Sequence, residues 1–524
     1  MQKALEIGKK SATGSFQLFI GVATSTIIMA IGTIILARLM TPEEYGLYSI
    51  ALVPSYMAIL FRDWGVNSAI TRYVASARAE NKEEHAYEIV VSGLLFEVGT
   101  GLVLSVILVS LSNFIALTVF QRPEASFLII IASITIFAGA LLTAAQSSFI
   151  GFERMELNSL TNIFQAIVKT IASPILVIMG YSALGATLGY TISFMVAAII
   201  GLLILYLTVI RRLKMKDSRK ISITQTLKEM LRYGIPLSVA SIISGFLVQL
   251  YAFLMAIYCT DTMIGNYSVA TQFATLLTFF TVPISTVLFP AFSKIDPQKE
   301  RELLRTVFAS SVKYTAIILV PATMAVMTLS KPMISTLFGE KWTYAPSFLT
   351  LYVVNNLFVI FGSLPMGSIL AGLGETKIQM ILSVITLAFG IPLSLLFIPS
   401  MGIMGLIITS VTAGIPSMGL GLYLIWRRYK TKADMISSMK IMAAALAAAA
   451  ITFLVTNLTS LADWMELTAG GIIFLATYLV IAPVAGAISQ TDVRNLKTMF
   501  SGLGIISKML NITLTTMERL SKAS

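Results

Sequence analysis

The chain has 524 residues, 56% of them hydrophobic and only 12% charged, with 37 Lys and Arg against 25 Asp and Glu for a net charge of +12. Soluble domains carry about 25% charged residues, so a water-soluble globular class is excluded. A single cysteine, Cys259, rules out an intrachain disulfide, and a single histidine, His85, leaves too little for a His/Cys metal centre.

The N-terminus, Met1 to Lys10, is basic. The apolar run behind it is too long for a signal-peptide core, so no cleavable leader is expected. Apolar runs long enough to cross about 30 Å of hydrocarbon then recur down the chain. They have helical length, whereas a β-barrel would show alternating segments of about ten residues. The predicted class is an all-α polytopic membrane protein of about fourteen spans. These lie near 14–37, 45–64, 88–112, 125–149, 158–179, 183–209, 234–258, 264–290, 309–330, 346–370, 377–397, 402–425, 439–458 and 466–487. The predicted organisation is a first lobe at 1–210, a basic connector at 211–233 and a second lobe at 234–428. An extra helix pair at 429–488 and a tail at 489–524 follow.

Numbering the loops alternately puts 32 of the 37 Lys and Arg on the side that holds both termini. The opposite side has Arg38, Arg122, Lys331 and Lys341, and Lys169 falls inside a span. The basic side is cytoplasmic by the positive-inside rule, so both termini are expected in the cytoplasm of a cell-membrane protein. The same bias accounts for the net charge without nucleic acid. The connector, with "RRLKMKDSRK", is expected along anionic lipid head groups; the bias alone also explains it. The tail has apolar residues at helical spacing and reads as an interfacial helix or as a disordered segment.

One stretch is written twice. "TPEEYGLYSIA" at 41–51 returns as "TDTMIGNYSVA" at 260–270, each between apolar runs. Gly151 and Gly372, Pro174 and Pro392, and Gly185 and Gly405 are further pairs at nearly the same shift. Six spans, an even number, separate the copies, so the repeat is parallel, with the two halves about an axis along the membrane normal. Two six-helix lobes of this kind leave a central cavity where transporters hold substrate. Most of the 16 prolines fall inside spans. There they permit kinks, and Pro174 and Pro392 are candidates for gating.

Other chemistry is missing. No G-x-x-x-x-G-K-[ST] phosphate loop occurs, which argues against ATP hydrolysis in this chain, and one His cannot build H-E-x-x-H. No catalytic residues and no cofactor are expected.

Charges within spans cost about 2.5–3.5 kcal/mol on insertion scales and need a reason. Glu97 lies in span 3, Lys169 in span 5 one turn beyond Gln165, and Lys313 near the end of span 9. Glu97 and Lys169 are candidates for the cavity, Lys169 to meet a phosphate and Glu97 to bind sugar or carry a proton. The alternative is a Glu97–Lys169 pair that holds neighbouring helices together. Arg38, Arg62 and Lys313 read as snorkelling to the interface, with Arg38 and Lys313 kept as cavity candidates. Tyr48 and Tyr267, equivalent in the repeat, are candidates for the outer mouth or for aromatic anchors.

"LARLMTPEEYGLYSIA" followed by "DWGVNSAITRYVA", with "LRYGIPLSVASIISGFLVQL" and "AGLGETKIQMILSVI" later on, resembles the oligosaccharide flippases. These polysaccharide transporters belong to the multidrug/oligosaccharidyl-lipid/polysaccharide exporter superfamily. The resemblance spans nearly the whole chain. It implies two six-helix lobes, a cationic cavity and alternating access. It further implies that a polyprenyl- or dolichyl-(pyro)phosphate-linked glycan is moved from the inner to the outer leaflet. Many relatives have an acidic residue in the seventh helix where Gln249 and Tyr251 stand here, which puts ion coupling through that helix in doubt. A coupling ion, Na+ or H+, is not identified, and Glu97 is the stand-in.

The physics is compatible. Sugar hydroxyls cannot shed their hydrogen bonds to cross hydrocarbon unaided, and an anion moving outward gains about 2.3 kcal/mol per charge per 100 mV. The rival readings are a drug or organic-cation antiporter, a peptidoglycan-precursor flippase and an intramembrane glycosyltransferase. Lys169 speaks against the first, the lack of deep first-lobe arginines against the second, and the scattered outer acids against the third. Partners are expected to be the lipid-linked glycan and membrane lipids, with no nucleic acid and a monomeric chain.

Overall fold

A computed structural model describes residues 2–211, 222–459, 461–500, 515 and 518. Every regular element among the described residues is helical. Among the described residues, ten helical stretches are long and apolar enough to cross a membrane, or eleven if the pair Ala345–Phe361 and Ser363–Gly372, bent by 58°, counts as one span. That is fewer than the fourteen predicted, for three local reasons.

First, the predicted spans 158–179 and 183–209 fall in one stretch counted once, Met155–Ile210, a hairpin whose arms Met155–Leu176 and Ser182–Leu205 match the two predicted spans. Gly180 takes a φ of 93°, and beyond it Gly185 packs on Leu176 and Gly189 on Ser173. Second, the helix predicted at 45–64 runs only from Pro42 to Ile59. Its start is fixed by a capping box: Glu44 N donates to Thr41 Oγ1 at 3.2 Å and Thr41 N to Glu44 Oε2 at 2.8 Å. Third, the span predicted at 264–290 is split into Asp261–Ala274, a short 3-10 turn and Thr278–Ser293.

The described chain forms two compact units, Met1–Gly265 and Asn266–Ser524. In the first, Ile223–Tyr258 packs against the helices before it. Gly65, at φ 76°, sits so close to Gly234 that a Cβ would lie 2.1 Å from its carbonyl oxygen. At the far end, a Cβ on Gly46 would lie 1.9 Å from Asp261 O, and one on Gly265 would lie 2.0 Å from Pro42 O. The two glycines of the repeated stretch therefore let two helix starts touch backbone to backbone. Arg122 clasps the same region. It pairs with Asp261 and donates to Ala256 O at 2.5 Å and Cys259 O at 2.5 Å, capping the end of Ile223–Tyr258 with a cation.

In the second unit, Arg301–Thr328 is covered by Met435–Leu458 and Asp463–Val484 through a core that includes Val320, Ala445, Phe474 and Tyr478. Thr376–Met401 turns at Gly402 into Ile403–Thr412, with Gly405 against Phe397 O. Gly185 has like surroundings in the first unit. Gly151, against Thr71 and Val74, and Gly372, against Phe289 and Phe292, likewise fill similar places in their own units.

The connector's "RRLKMKDSRK" lies outside the described residues from 212 on, and regular helix resumes at Ile223. The first part of the tail is the helix Gln490–Phe500. It is docked on its unit: Asp492 pairs with Lys313 at 2.5 Å, and Asn495 Nδ2 donates to Tyr314 Oη at 2.7 Å. Most of the remaining tail lies outside the described residues.

Candidate functional site

The intramembrane charges of the first unit fall into two settings. Glu97 is fully buried on Glu83–Phe114 and pairs with Arg62, whose Nε is 3.2 Å from Glu97 Oε2. Arg62 Nη2 also donates to Thr143 Oγ1 at 2.8 Å, and Asn67 Nδ2 donates to Glu97 Oε1 at 2.8 Å. Gly139 leaves room for the guanidinium, since a Cβ there would stand 3.1 Å from Nη1. Arg62 therefore does not snorkel. Chain turns between Ile59 and Val66 fold it inward, with Gly65 wedged on Gly234. The expected alternative for Glu97, a pair with Lys169, is replaced by this pair with Arg62. Both charges of the pair are neutralised, and its geometry is that of a structural clamp.

Lys169 is different. Among the described residues no carboxylate lies within 4.0 Å of its ammonium. Its Nζ lies 5.1 Å from the centroid of the Tyr190 ring. Tyr190 shares a hydrogen bond with Tyr56, hydroxyl to hydroxyl at 3.0 Å, and their rings meet edge to face. Tyr45 and Tyr48 meet edge to face on the same helix as Tyr56, both rings buried. The Tyr56 ring is exposed and Lys169 is half-buried. A half-buried cation and the exposed Tyr56 thus lie at one side of the unit, joined through the buried Tyr190.

On the helix Met155–Leu176, Lys169 lies opposite the exposed Phe164, Ile167 and Ile171, on the side that meets Tyr190. Ser159 Oγ donates to Gln17 O at 3.0 Å and Thr170 Oγ1 to Ile28 O at 3.0 Å. Gly21 and Gly32 of the first helix lie flush against these two residues, the small-residue contact typical of packed membrane helices. On another side Gly189 abuts Ser173. Lys169 meets Tyr190 on the remaining packed side. Gln165, one turn earlier and half-buried, shares its face.

The remaining candidates do not join this cluster. Arg38 is exposed in the last turn of the first helix. Gln249 is half-buried, and its neighbour Tyr251 is buried. Pro174 is buried inside its helix and Pro392 is exposed. In the second unit Tyr267 meets Tyr352 edge to face at 6.1 Å. Lys313 is held by Asp492 rather than reaching for the interface. The sequence reading missed Tyr56, Tyr190 and Asn67. For the tyrosines the available signal was position: phenols well inside apolar spans need a partner. Among the described residues no three His, Cys, Asp or Glu side chains group to hold a metal ion.

Comparison with known proteins fits this scaffold. The family model described as "Polysaccharide biosynthesis protein" matches residues 11–296, and the model "Lipid II flippase MurJ" matches residues 262–480. The lipopolysaccharide biosynthesis protein WzxC of Escherichia coli K12 is 27% identical over 412 residues, 76% of each chain. A structure of the lipid II flippase MurJ in an inward closed conformation superposes with a TM-score of 0.71 at 16% identity, covering 89% of this chain and 98% of that one. An inward-facing multidrug resistance MATE transporter of the MOP superfamily gives 0.60 at 18% identity, over 78% and 96%. At these identities the two structures speak for the fold alone.

Proposed function

This chain belongs to the polysaccharide biosynthesis protein family of the MOP superfamily, and from that premise we propose how it works. It carries a polyprenyl- or dolichyl-(pyro)phosphate-linked oligosaccharide from the inner to the outer leaflet, exposing its site alternately to the two sides. Both termini lie in the cytoplasm. The observation that supports this best is Lys169, a cation without a carboxylate partner among the described residues, set beside the Tyr190 and Tyr56 hydroxyls. An ammonium there answers a phosphate, and phenol hydroxyls answer sugar hydroxyls. An organic cation would be repelled.

The charge clamp of Arg62 and Glu97 keeps the 61–65 turn fastened to the helix Glu83–Phe114 while the substrate passes. No nucleotide is needed. With the cell interior negative, the anionic head group moves down the potential by about 2.3 kcal/mol per charge per 100 mV. An ion gradient, Na+ or H+, is the other source of drive.

The test is leaflet exchange of a fluorescent polyprenyl-pyrophosphate glycan in proteoliposomes. Wild type moves it. Lys169→Ala slows it by about ten- to a hundredfold, the worth of a charge-assisted hydrogen bond, and Lys169→Arg restores part of the rate. Equal rates for wild type and Lys169→Ala sink the cationic-site mechanism, and transport of organic cations instead of the glycan sinks the substrate assignment.

A further inference from the structure

The second unit holds an open cavity of about 750 Å3, within the usual size range of small-molecule sites. It lies among Ser330–Phe338, Ala345–Val353 and the first turn of Asp463–Val484. Its walls carry Lys331, Glu340, Thr343, Ser347 and Asp463 over a floor that includes Trp342. The cavity sits beyond Thr328, at the end of Arg301–Thr328 away from the basic start of that helix. With the basic side cytoplasmic, this is the outer face.

The loop across the cavity is built rather than loose. Asn266 Oδ1 accepts hydrogen bonds from the backbone N–H groups of Tyr344 and Ala345, both at 3.0 Å, and Asn266 is 1% exposed. Gly339, at φ 100°, turns the chain into the loop. Trp342 is 1% exposed, and its Nε1 donates to Phe338 O at 3.2 Å. Ser330 and Thr350 join the two flanking helices hydroxyl to hydroxyl at 2.9 Å. In the repeat, Asn266 stands where the first copy has Leu47. The second copy has exchanged an apolar residue for the one that pins this loop. Such pinning removes the ordering cost of binding.

The chemistry of the wall selects its ligand. A sugar hydroxyl both donates and accepts. Carboxylates only accept, an ammonium only donates, and Ser and Thr hydroxyls do both. Two carboxylates beside one ammonium disfavour a free phosphate. A flat hydrophobic cation finds no open aromatic face, because the Trp342 ring is closed off. A divalent metal lacks the three-ligand group among the described residues.

We propose that this cavity is a saccharide-binding site on the outer face, which takes hexose units of the lipid-linked glycan once its head group has crossed. The proposal rests on the flippase reading for the origin of the sugar. The site holds the product's glycan by hydrogen bonds that its hydroxyls donate to Glu340 and Asp463 and accept from Lys331, and so disfavours its return.

The test uses the full chain in lipid nanodiscs, with maltotetraose and chitotetraose as probes and saturation-transfer NMR as the readout. Four proteins are compared: wild type, Glu340→Gln with Asp463→Asn, Asn266→Ala, and Lys169→Ala. The expected result is saturable binding of at least one probe, weakened about tenfold or more by the double variant. Asn266→Ala weakens it as well, and Lys169→Ala leaves it unchanged. Glu340 is exposed and Asp463 half-buried, so the double variant should fold, which its elution and unfolding midpoint check. Binding that falls with Lys169→Ala and not with the double variant overturns the cavity proposal and leaves the flippase reading standing. No saturable binding of either probe to wild type also overturns the cavity proposal, while leaflet exchange decides the flippase reading separately.

Discussion

Replacing Glu97 by alanine should be among the most damaging single changes in the first unit. The side chains of Arg62 and Glu97 are 5% and 0% exposed, with Nε and Oε2 3.2 Å apart. At an effective dielectric constant of about 20, that separation corresponds to about 5 kcal/mol of attraction. Part of this is cancelled by desolvation, but a variant that loses one partner keeps the other's desolvation cost in full. In Glu97→Ala the guanidinium is left with Thr143 Oγ1 and, at 3.4 Å, Ile136 O. The expected loss is about 3–5 kcal/mol. Arg62→Ala should cost less, because a buried carboxylate can take up a proton and keep its bond from Asn67, whereas a guanidinium cannot shed one. The double change Arg62→Met with Glu97→Leu should return close to wild type. Unfolding in mixed detergent and SDS micelles, followed by helical circular dichroism on all four proteins, measures the cycle. If Glu97→Ala stays within about 1 kcal/mol of wild type, or the two single losses simply add, the clamp is not a coupled pair and the reasoning fails.

Two further predictions concern separate places. Gly46→Ala and Gly265→Ala each push a Cβ to about 2 Å from a backbone carbonyl that no rotamer change can move; each should cost at least about 1–3 kcal/mol. Gly99→Ala, where nothing lies within 4 Å of the added Cβ, is the control, and equal thermal midpoints for Gly46→Ala and Gly99→Ala would refute the backbone contact. On the loop side of Thr376–Met401, the Tyr429 hydroxyl, donating at 2.6 Å, and the Arg428 guanidinium hold the Glu375 carboxyl below the usual carboxylate range. A lowered carboxyl stabilises the fold above its ordinary pKa of about 4.3 and loses that contribution as pH falls through its folded value. The midpoint advantage of wild type over Tyr429→Phe should therefore be full near neutrality and shrink below about pH 4; a gap that does not change with pH would count against this account.

The all-helical class and most span positions were legible because burial in hydrocarbon is written in composition, one residue at a time. The turn between 179 and 183 was legible as well, since Gly180 and Ser182 take positive φ where the apolar run lapses. The breaks inside spans were not. Nothing in the hydropathy of "TQFATLLTFF" marks the 3-10 turn at Thr275–Leu277, nor does that of "VNNLFVIF" mark the 3-10 segment before Gly362. Arg62 was misplaced for the same reason. "FRDWG" closes an apolar run, and a charge at such an end normally reaches for water. What turns it inward is Gly65 on Gly234, 169 positions away in sequence, and the Glu97 that awaits it.

The charges also show which kinds of site a sequence can reveal. A charge inside a span announces that a partner exists, and it does not say whether that partner is protein or cargo. Glu97, Lys169 and Lys313 looked alike in the chain, yet Glu97 is paired with Arg62 and Lys313 with Asp492, while Lys169 faces phenol rings. The separation comes from what occupies the other faces of each helix. Ser159, Thr170 and Ser173 are small polar residues tied to glycines and carbonyls of neighbouring helices. Lys169 lies on the side of Tyr190, away from the exposed row of Phe164, Ile167 and Ile171. Asn266 makes the same argument from the repeat. Of the eleven positions five are identical in the two stretches, and among the six that differ the change between Leu47 and Asn266 supplies the residue that holds a loop across an open polar cavity. Where two stretches echo each other in this way, a polar residue that breaks the echo points either to a cavity wall, as with Asn266, or to a local clasp, as with Asp261 and Arg122.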